Sequence, residues 1–91
     1  MISVDKLTSC YEVGTILRVY ESSERSEQYT IYEGRLKAFL DSPPAIILSK
    51  AYKVIYDISP ITGSEKIIGK VPVGTVFIQL KHVRKIEEVE E

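Results

Sequence analysis

Two adjacent prolines, Pro43 and Pro44, constrain this sequence more than any other feature. Proline fixes φ and lacks an N–H group, and a second proline forces the first into an extended conformation. Residues 41–44 are therefore predicted to form a tight corner. The flanking runs, residues 29–40 and 45–56, are rich in β-branched and aromatic side chains, which favour strands. The chain is thus expected to turn sharply between two long strands.

The first of these strands has an irregular apolar pattern. Its two-residue period places five residues on one face: Tyr32, Gly34, Leu36, Ala38 and Leu40. Phe39 is out of phase with this set. A long strand whose apolar face changes usually bends or carries a bulge, and Gly34 can bend at low cost because it has no side chain.

The rest of the chain adds short strands to these two. Three further runs have a composition typical of strands: residues 15–20, 75–79 and 81–86. Residues 66–74 fit either a short edge strand or an extended connection. Residues 21–28 contain no apolar side chain and are predicted to form an exposed loop.

One short helix is predicted near the start of the chain. Ser3 is a suitable N-cap, Val4, Leu7 and Tyr11 share a helical face, and Gly14 is a suitable stop. A helix this short persists only when it docks on another element. One helix followed by five or six short strands predicts an all-β fold, either a small barrel or a sandwich.

Composition limits the classes of function. The 91 residues suggest a single domain, 1–91, with a small core, and the acidic tail at 87–91 is expected to fray. Hydrophobic residues at 44% and charged residues at 27% are typical of a folded chain. The net charge of −1 means that any binding of nucleic acid must come from a local basic patch.

Little in the sequence points to catalysis, cofactors or membranes. Cys10 is the only cysteine, so a disulfide framework and a multi-cysteine zinc site are excluded. His82 is the only histidine, the residue type most often used as a base at neutral pH, and no nucleophile motif surrounds it. We expect no enzyme activity, no cofactor and no metal. The sequence has no signal-peptide pattern and no membrane-spanning apolar run, so a cytoplasmic protein is expected.

Two groups of residues resemble the two signatures of the Sm and Sm-like (LSm, archaeal Sm-like) protein family. The first group is Gly34, Leu36, Phe39, Asp41, Ile46, Ile47, Leu48 and Ala51. The second group is Gly74, Val76, Ile78, Val83, Ile86 and Glu87. The resemblance covers residues 3–88 and implies a small, strongly bent five-stranded barrel of the SH3-like (Sm) type with a short N-terminal helix.

The resemblance also implies assembly and a ligand. Family members form rings in which the fourth strand of one subunit pairs with the fifth strand of the next. Here that pairing would join residues 75–79 to residues 81–86 of a second copy, which gives a homo-oligomeric ring. Rings of this family typically bind single-stranded, uridine-rich RNA around the pore.

The sequence departs from the family at the positions that hold the base. Ala45 occupies the position of the family asparagine, and Gln79-Leu80 replaces the family Arg-Gly pair. Asparagine can hydrogen-bond a base edge and arginine can stack on a base, whereas alanine and leucine do neither. The usual uridine pocket is therefore expected to be absent, and any RNA would bind through a non-standard site.

A basic cluster near the end of the chain is the candidate for that site. Lys81, Arg84 and Lys85 are predicted to contact phosphate, with Asp41 and Gln79 near the equivalent of the base pocket. The alternative is that these lysines simply keep a solvated edge strand from aggregating.

A second function class stays open. An SH3-like protein–protein interaction module that binds no nucleic acid would explain the missing asparagine and Arg-Gly. The chain has six tyrosines, and four of them flank the central strands: Tyr29, Tyr32, Tyr52 and Tyr56. Tyrosine suits both half-buried strand faces and protein interfaces, although it also stacks on bases.

Overall fold

The computed structural model describes residues 4–22 and 29–90; Ser3, most of the predicted loop at 21–28 and the last residue of the tail lie outside that part. The described chain is all-β. Its strands are β1 Ile16–Ser22, β2 Tyr29–Asp41, β3 Pro44–Ile58, β4 Glu65–Gln79 and β5 Val83–Glu88. A seven-residue helix, α1 Val4–Cys10, precedes the strands, and a 3₁₀ helix, Leu80–His82, lies between β4 and β5.

The strands form one open antiparallel sheet with the order β4-β3-β2-β1-β5. Sequential strands pair as far as β4, but β5 returns across the sheet to pair with β1. The outer edges of β4 and β5 consequently have no strand partner among the described residues.

The predicted corner is confirmed. Asp41 at the end of β2 pairs with Pro44 at the start of β3, so Ser42 and Pro43 alone make the turn. The Ser42–Pro43 peptide bond is cis. The two strands exceed the predicted runs, because β2 continues to Asp41 and β3 continues to Ile58.

The phase change at Phe39 comes from an extra residue in β2. Leu36 pairs with Leu48 and Phe39 pairs with Ile46, so three steps along β2 match two steps along β3. This bulge returns Phe39 to the core face, where it packs against the core cluster. The shared face predicted for residues 32–40 therefore ends at Leu36, and the phase changes around Lys37 rather than at Gly34.

Gly34 serves a different purpose. A Cβ atom at this position would lie 2.9 Å from both Cα and Cβ of Ala51, closer than real contacts allow. The irregularity beside Gly34 adds its residue to β3 instead, where Lys50 adopts a positive φ of 50°. Glycine is needed here because β3 passes too close for any side chain.

One apolar cluster forms the core. It combines side chains from α1, from the strands and from the 3₁₀ helix: Leu7, Leu17, Val19, Leu36, Ile46, Leu48, Ala51, Ile78, Leu80 and Val83. Tyr11 also packs against it, and its N–H donates to the Leu7 carbonyl. Two backbone bonds, Gly14 N–H to Leu36 O and Leu36 N–H to Thr15 O, tie the entry of β1 to β2.

The last two strands differ from the prediction. Residues 66–74 lie in an edge strand, as one of the two alternatives predicts, but the strand is not short, because β4 runs unbroken over 15 residues. The fifth strand begins at Val83 rather than at residue 81, since Leu80 turns into the core and residues 80–82 form the 3₁₀ helix. The tail expected to fray from residue 87 stays paired further: Glu87 and Glu88 belong to β5 and pair with β1.

Candidate functional site

Part of the predicted RNA site lies at the corner between β2 and β3. Asp41 is exposed there. Ala45 pairs with Leu40 on one side and with Gln79 on the other, so Gln79 reaches the same end of the sheet. Ala45 has 0% exposure, and the position that carries asparagine in the family is thus buried here. Lys81 follows in the 3₁₀ helix and is exposed.

The other predicted residues, Arg84 and Lys85, lie in a different setting. Both are on β5, where Lys85 pairs with Tyr20 of β1. Together with side chains from β1, β2 and β4 they line a cavity of about 330 Å³, which we call the Tyr–Arg recess. Its lining residues are Tyr20, Tyr29, Glu65, Arg84 and Lys85. The structure therefore divides the five predicted residues into a corner group and a recess group, with Lys81 on the connection between them.

The two cations of the Tyr–Arg recess are held differently. Arg84 Nε donates to Ser22 Oγ at 2.6 Å, and Ser22 is buried. Lys85 Nζ lies 2.7 Å from Glu87 Oε1 and 5.4 Å from the centroid of the Tyr20 ring. The hydrogen bond to Glu87 raises the pKa of Lys85 above its ordinary value. Lys85 is thus compensated by a carboxylate, whereas Arg84 has no ion-pair partner among the described residues.

A buried carboxylate joins three strands on the same face of the sheet as Tyr20. Glu33 of β2 accepts from Arg18 Nη2 of β1 at 2.8 Å and from Lys70 Nζ of β4 at 2.6 Å. We call Arg18, Glu33 and Lys70 the ionic triad. Burial opposes the charge on Glu33, but the hydrogen bonds from Lys70 and Arg18 outweigh it and hold its pKa below the ordinary value.

The sequence patterns predict neither the ionic triad nor most of the Tyr–Arg recess. Arg18 between Leu17 and Val19 was a usable signal, because alternation puts it on the face opposite the core. Ser22 and Glu65 carried no such signal. Their roles arise only because β5 pairs with β1 and because the start of β4 comes close to both.

The open edge of the sheet at β4 carries exposed apolar side chains. They occur along most of the strand: Ile67, Ile68, Val71, Val73 and Phe77. An edge strand with both unpaired backbone groups and apolar side chains is a template for pairing with another chain.

The part of the chain that the structure describes offers few side chains suited to catalysis or metal binding. Cys10 is exposed at the end of α1, and His82 is half-buried in the 3₁₀ helix. Residues 4–22 and 29–90 contain no group of three His, Cys, Asp or Glu side chains placed to hold a metal ion. Within the same residues, no helix has the length and apolar character needed to cross a bilayer.

The chain matches no protein-family model and no curated protein.

Proposed function

We propose that this chain is an Sm-like protein that assembles into a homo-oligomeric ring and binds single-stranded RNA through a non-standard site, as a cytoplasmic scaffold rather than a catalyst. The strand order is the observation that carries the proposal. Ring closure through the fourth and fifth strands needs both at outer edges of the sheet, and the order β4-β3-β2-β1-β5 leaves both there.

The finer fold in this proposal is a strongly bent barrel capped by α1. The two irregularities in the β2–β3 pairing support it, because each one increases the local twist and bends the sheet. The contact of Leu7 and Tyr11 with the core supports a capping position for α1.

The exposed apolar edge gives the proposed assembly a driving force. Phe77 is 48% exposed, although its neighbour in β4, Ile78, is buried in the core. Pairing β4 with β5 of a second copy would satisfy open backbone groups and remove apolar surface from water. Since β5 has six residues and β4 has 15, such a pairing would cover fewer than half of the β4 residues.

Local positive charge supports RNA as the ligand. Lys81 and Arg84 are exposed cations without an ion pair among the described residues, and a ring would repeat them around its axis. Phosphate contacts give affinity without reading sequence, which fits a protein that lacks the family asparagine and Arg-Gly pair.

Native mass tests the assembly. We expect a discrete oligomer for the wild type and a monomer for Phe77→Asp, because a charge at the β4 edge opposes strand pairing. Tyr52→Asp is the matched control, since Tyr52 is a similarly exposed aromatic residue on the inner strand β3. A monomeric wild type at micromolar concentration would reject the ring.

Binding of a fluorescent oligo-U at low salt tests the ligand. We expect affinity to fall steeply with salt. A Lys81→Gln variant should reduce the slope of log K against log[salt] by about 0.7 for each phosphate that the lysines of the ring no longer neutralise. No binding at low salt would reject RNA as the ligand while leaving the ring intact.

The second candidate is an SH3-like module that binds other proteins. Two observations weaken RNA binding and so favour this candidate: Ala45 is buried, and Glu87 neutralises Lys85. The exposed apolar residues of β4 would suit a protein partner. A wild type that neither forms a ring nor binds oligo-U would favour this candidate.

A further inference from the structure

The guanidinium of Arg84 is anchored on one side and open on the other. Arginine carries five N–H donors in a planar fork. Its Nε–H is used by Ser22, and the terminal nitrogens have no hydrogen-bond or ion-pair partner among the described residues. Ser22 is 7% exposed, so the anchor is itself held in the fold. A guanidinium positioned in this way loses little side-chain entropy when it binds an anion.

Tyr29 places an open aromatic surface beside Arg84. Its ring is perpendicular to that of Tyr20, with the centroids 6.1 Å apart, and the residue is 40% exposed. The Tyr29 N–H donates to Tyr56 Oη at 2.8 Å, and the Tyr56 hydroxyl donates back to the Tyr29 carbonyl. An exposed ring on an anchored backbone is a platform on which a planar group can stack.

The charges of the Tyr–Arg recess select a ligand with one anionic group. Glu87 compensates Lys85, whereas Arg84 has no ion-pair partner in the described part of the chain, and Glu65 contributes a carboxylate that can accept a hydrogen bond. A ligand suited to this lining has an anion near Arg84, a flat ring near Tyr29 and N–H or O–H donors between them. The volume of about 330 Å³ is at the small end for ligand sites, which span roughly 300–1,000 Å³.

We propose that the Tyr–Arg recess binds one nucleotide of an RNA strand, with the base stacked on Tyr29 and the phosphate on Arg84. The proposal rests on the RNA binding proposed above and assigns it a site away from the corner group of Asp41 and Gln79. The corner group then contributes no base contact.

Titration with uridine 5′-monophosphate, followed by amide chemical shifts, tests this site. We expect shifts at the amides of Ser22, Tyr29 and Arg84. Uridine lacks the phosphate and ribose 5-phosphate lacks the base, so each should bind about tenfold more weakly. Equal binding of ribose 5-phosphate and the nucleotide would overturn the stacking role of Tyr29.

Variants separate the two contacts. Tyr29→Leu keeps an apolar side chain but removes the aromatic face, and Arg84→Gln removes the charge; each should weaken nucleotide binding about tenfold. Lys37→Gln removes an exposed cation of β2 outside the recess and should change nucleotide affinity less than about twofold, because Lys37 lines no part of this cavity. Arg84→Gln decides alone if Tyr29→Leu does not fold. Unchanged affinity in the folded variants would overturn the proposal.

Nucleotide titration and oligo-U binding together distinguish failure of the recess site from failure of the proposed function. Oligo-U binding without recess shifts on nucleotide addition would preserve RNA binding and reject this site. Recess shifts without oligo-U binding at low salt would reject both the proposed function and an RNA strand as the occupant of the recess.

Discussion

The two faces of the β1–β2 region are held together by different forces, although the same strands supply both. Leu17 and Val19 of β1 are fully buried in the apolar core. Arg18 lies between them on the opposite face, where it pairs with Glu33. One face is stabilised by removing apolar area from water, and the other by satisfying a buried carboxylate.

The two faces differ in how many side chains share their stabilisation. Among the described residues, ten buried side chains form the core cluster and others pack against it, so packing there is shared among many side chains. The ionic triad depends on one carboxylate that bridges two cations from different strands. Loss of one member of the ionic triad leaves charged side chains without compensation, which loss of one core side chain does not do.

The largest expected effect is on the core face. Leu48→Ala should lower the free energy of unfolding by about 3 kcal/mol, because it removes transfer energy and leaves a cavity. Urea denaturation measures it. The matched control is Ile68→Ala, a residue of β4 that is 62% exposed, which should cost under about 0.5 kcal/mol. Similar losses for both variants would contradict the assignment of Leu48 to the core.

The next effect is on the ionic triad. Glu33→Gln should cost about 1–2 kcal/mol, since Arg18 and Lys70 lose their common acceptor charge in a mostly buried position. Glu88→Gln is the control, because Glu88 is exposed on β5. If Glu33→Gln proved as stable as the wild type, the triad would not hold the polar face.

Lowering the pH should weaken the ionic triad before it weakens the apolar core. The folded pKa of Glu33 lies below its ordinary value of 4.5, so the unfolded chain takes up the proton first as pH falls. The contribution of Glu33 is complete above pH 4.5 and is lost as pH falls through the folded pKa. The stability difference between wild type and Glu33→Gln should therefore hold from pH 7 to pH 4.5 and shrink as pH falls below 4.5. A constant difference would disagree with a charge-based role.

The smallest effect is expected for the exposed pair beside the triad. Lys85→Gln removes the ion pair with Glu87, but solvent screens this pair because Lys85 is exposed. The thermal midpoint should be unchanged within error. A drop of more than about 3 °C would show that the polar face depends on Lys85 as well.

Much of the fold could be predicted from local rules. The Pro43–Pro44 corner follows from proline torsions, and the phase change at Phe39 indicates a bulge. The pairing of β2 with β3 is irregular beside Gly34, where the sequence favours a bend, and again near Lys37, but the sequence does not show which strand carries each extra residue. That depends on the approach of Ala51 to Gly34.

The candidate site was less predictable. A basic cluster in the sequence predicts Lys81, Arg84 and Lys85, and the family resemblance adds Asp41 and Gln79. The structure separates Arg84 and Lys85 from Asp41 and Gln79. Ser22 and Glu65 join Arg84 from positions 62 and 19 residues away in the chain. No local pattern encodes such a meeting.

The sequence by itself determined the all-β class, the tight corner and the alternation that buries Leu17 and Val19, because backbone torsions and the two-residue period act over a few neighbouring residues. Only the tertiary structure decided that Glu33 is buried between Arg18 and Lys70 and that Arg84 lies beside Tyr29. Those contacts depend on the order of the strands in the sheet, and the return of β5 to β1 brings together residues that the chain keeps far apart.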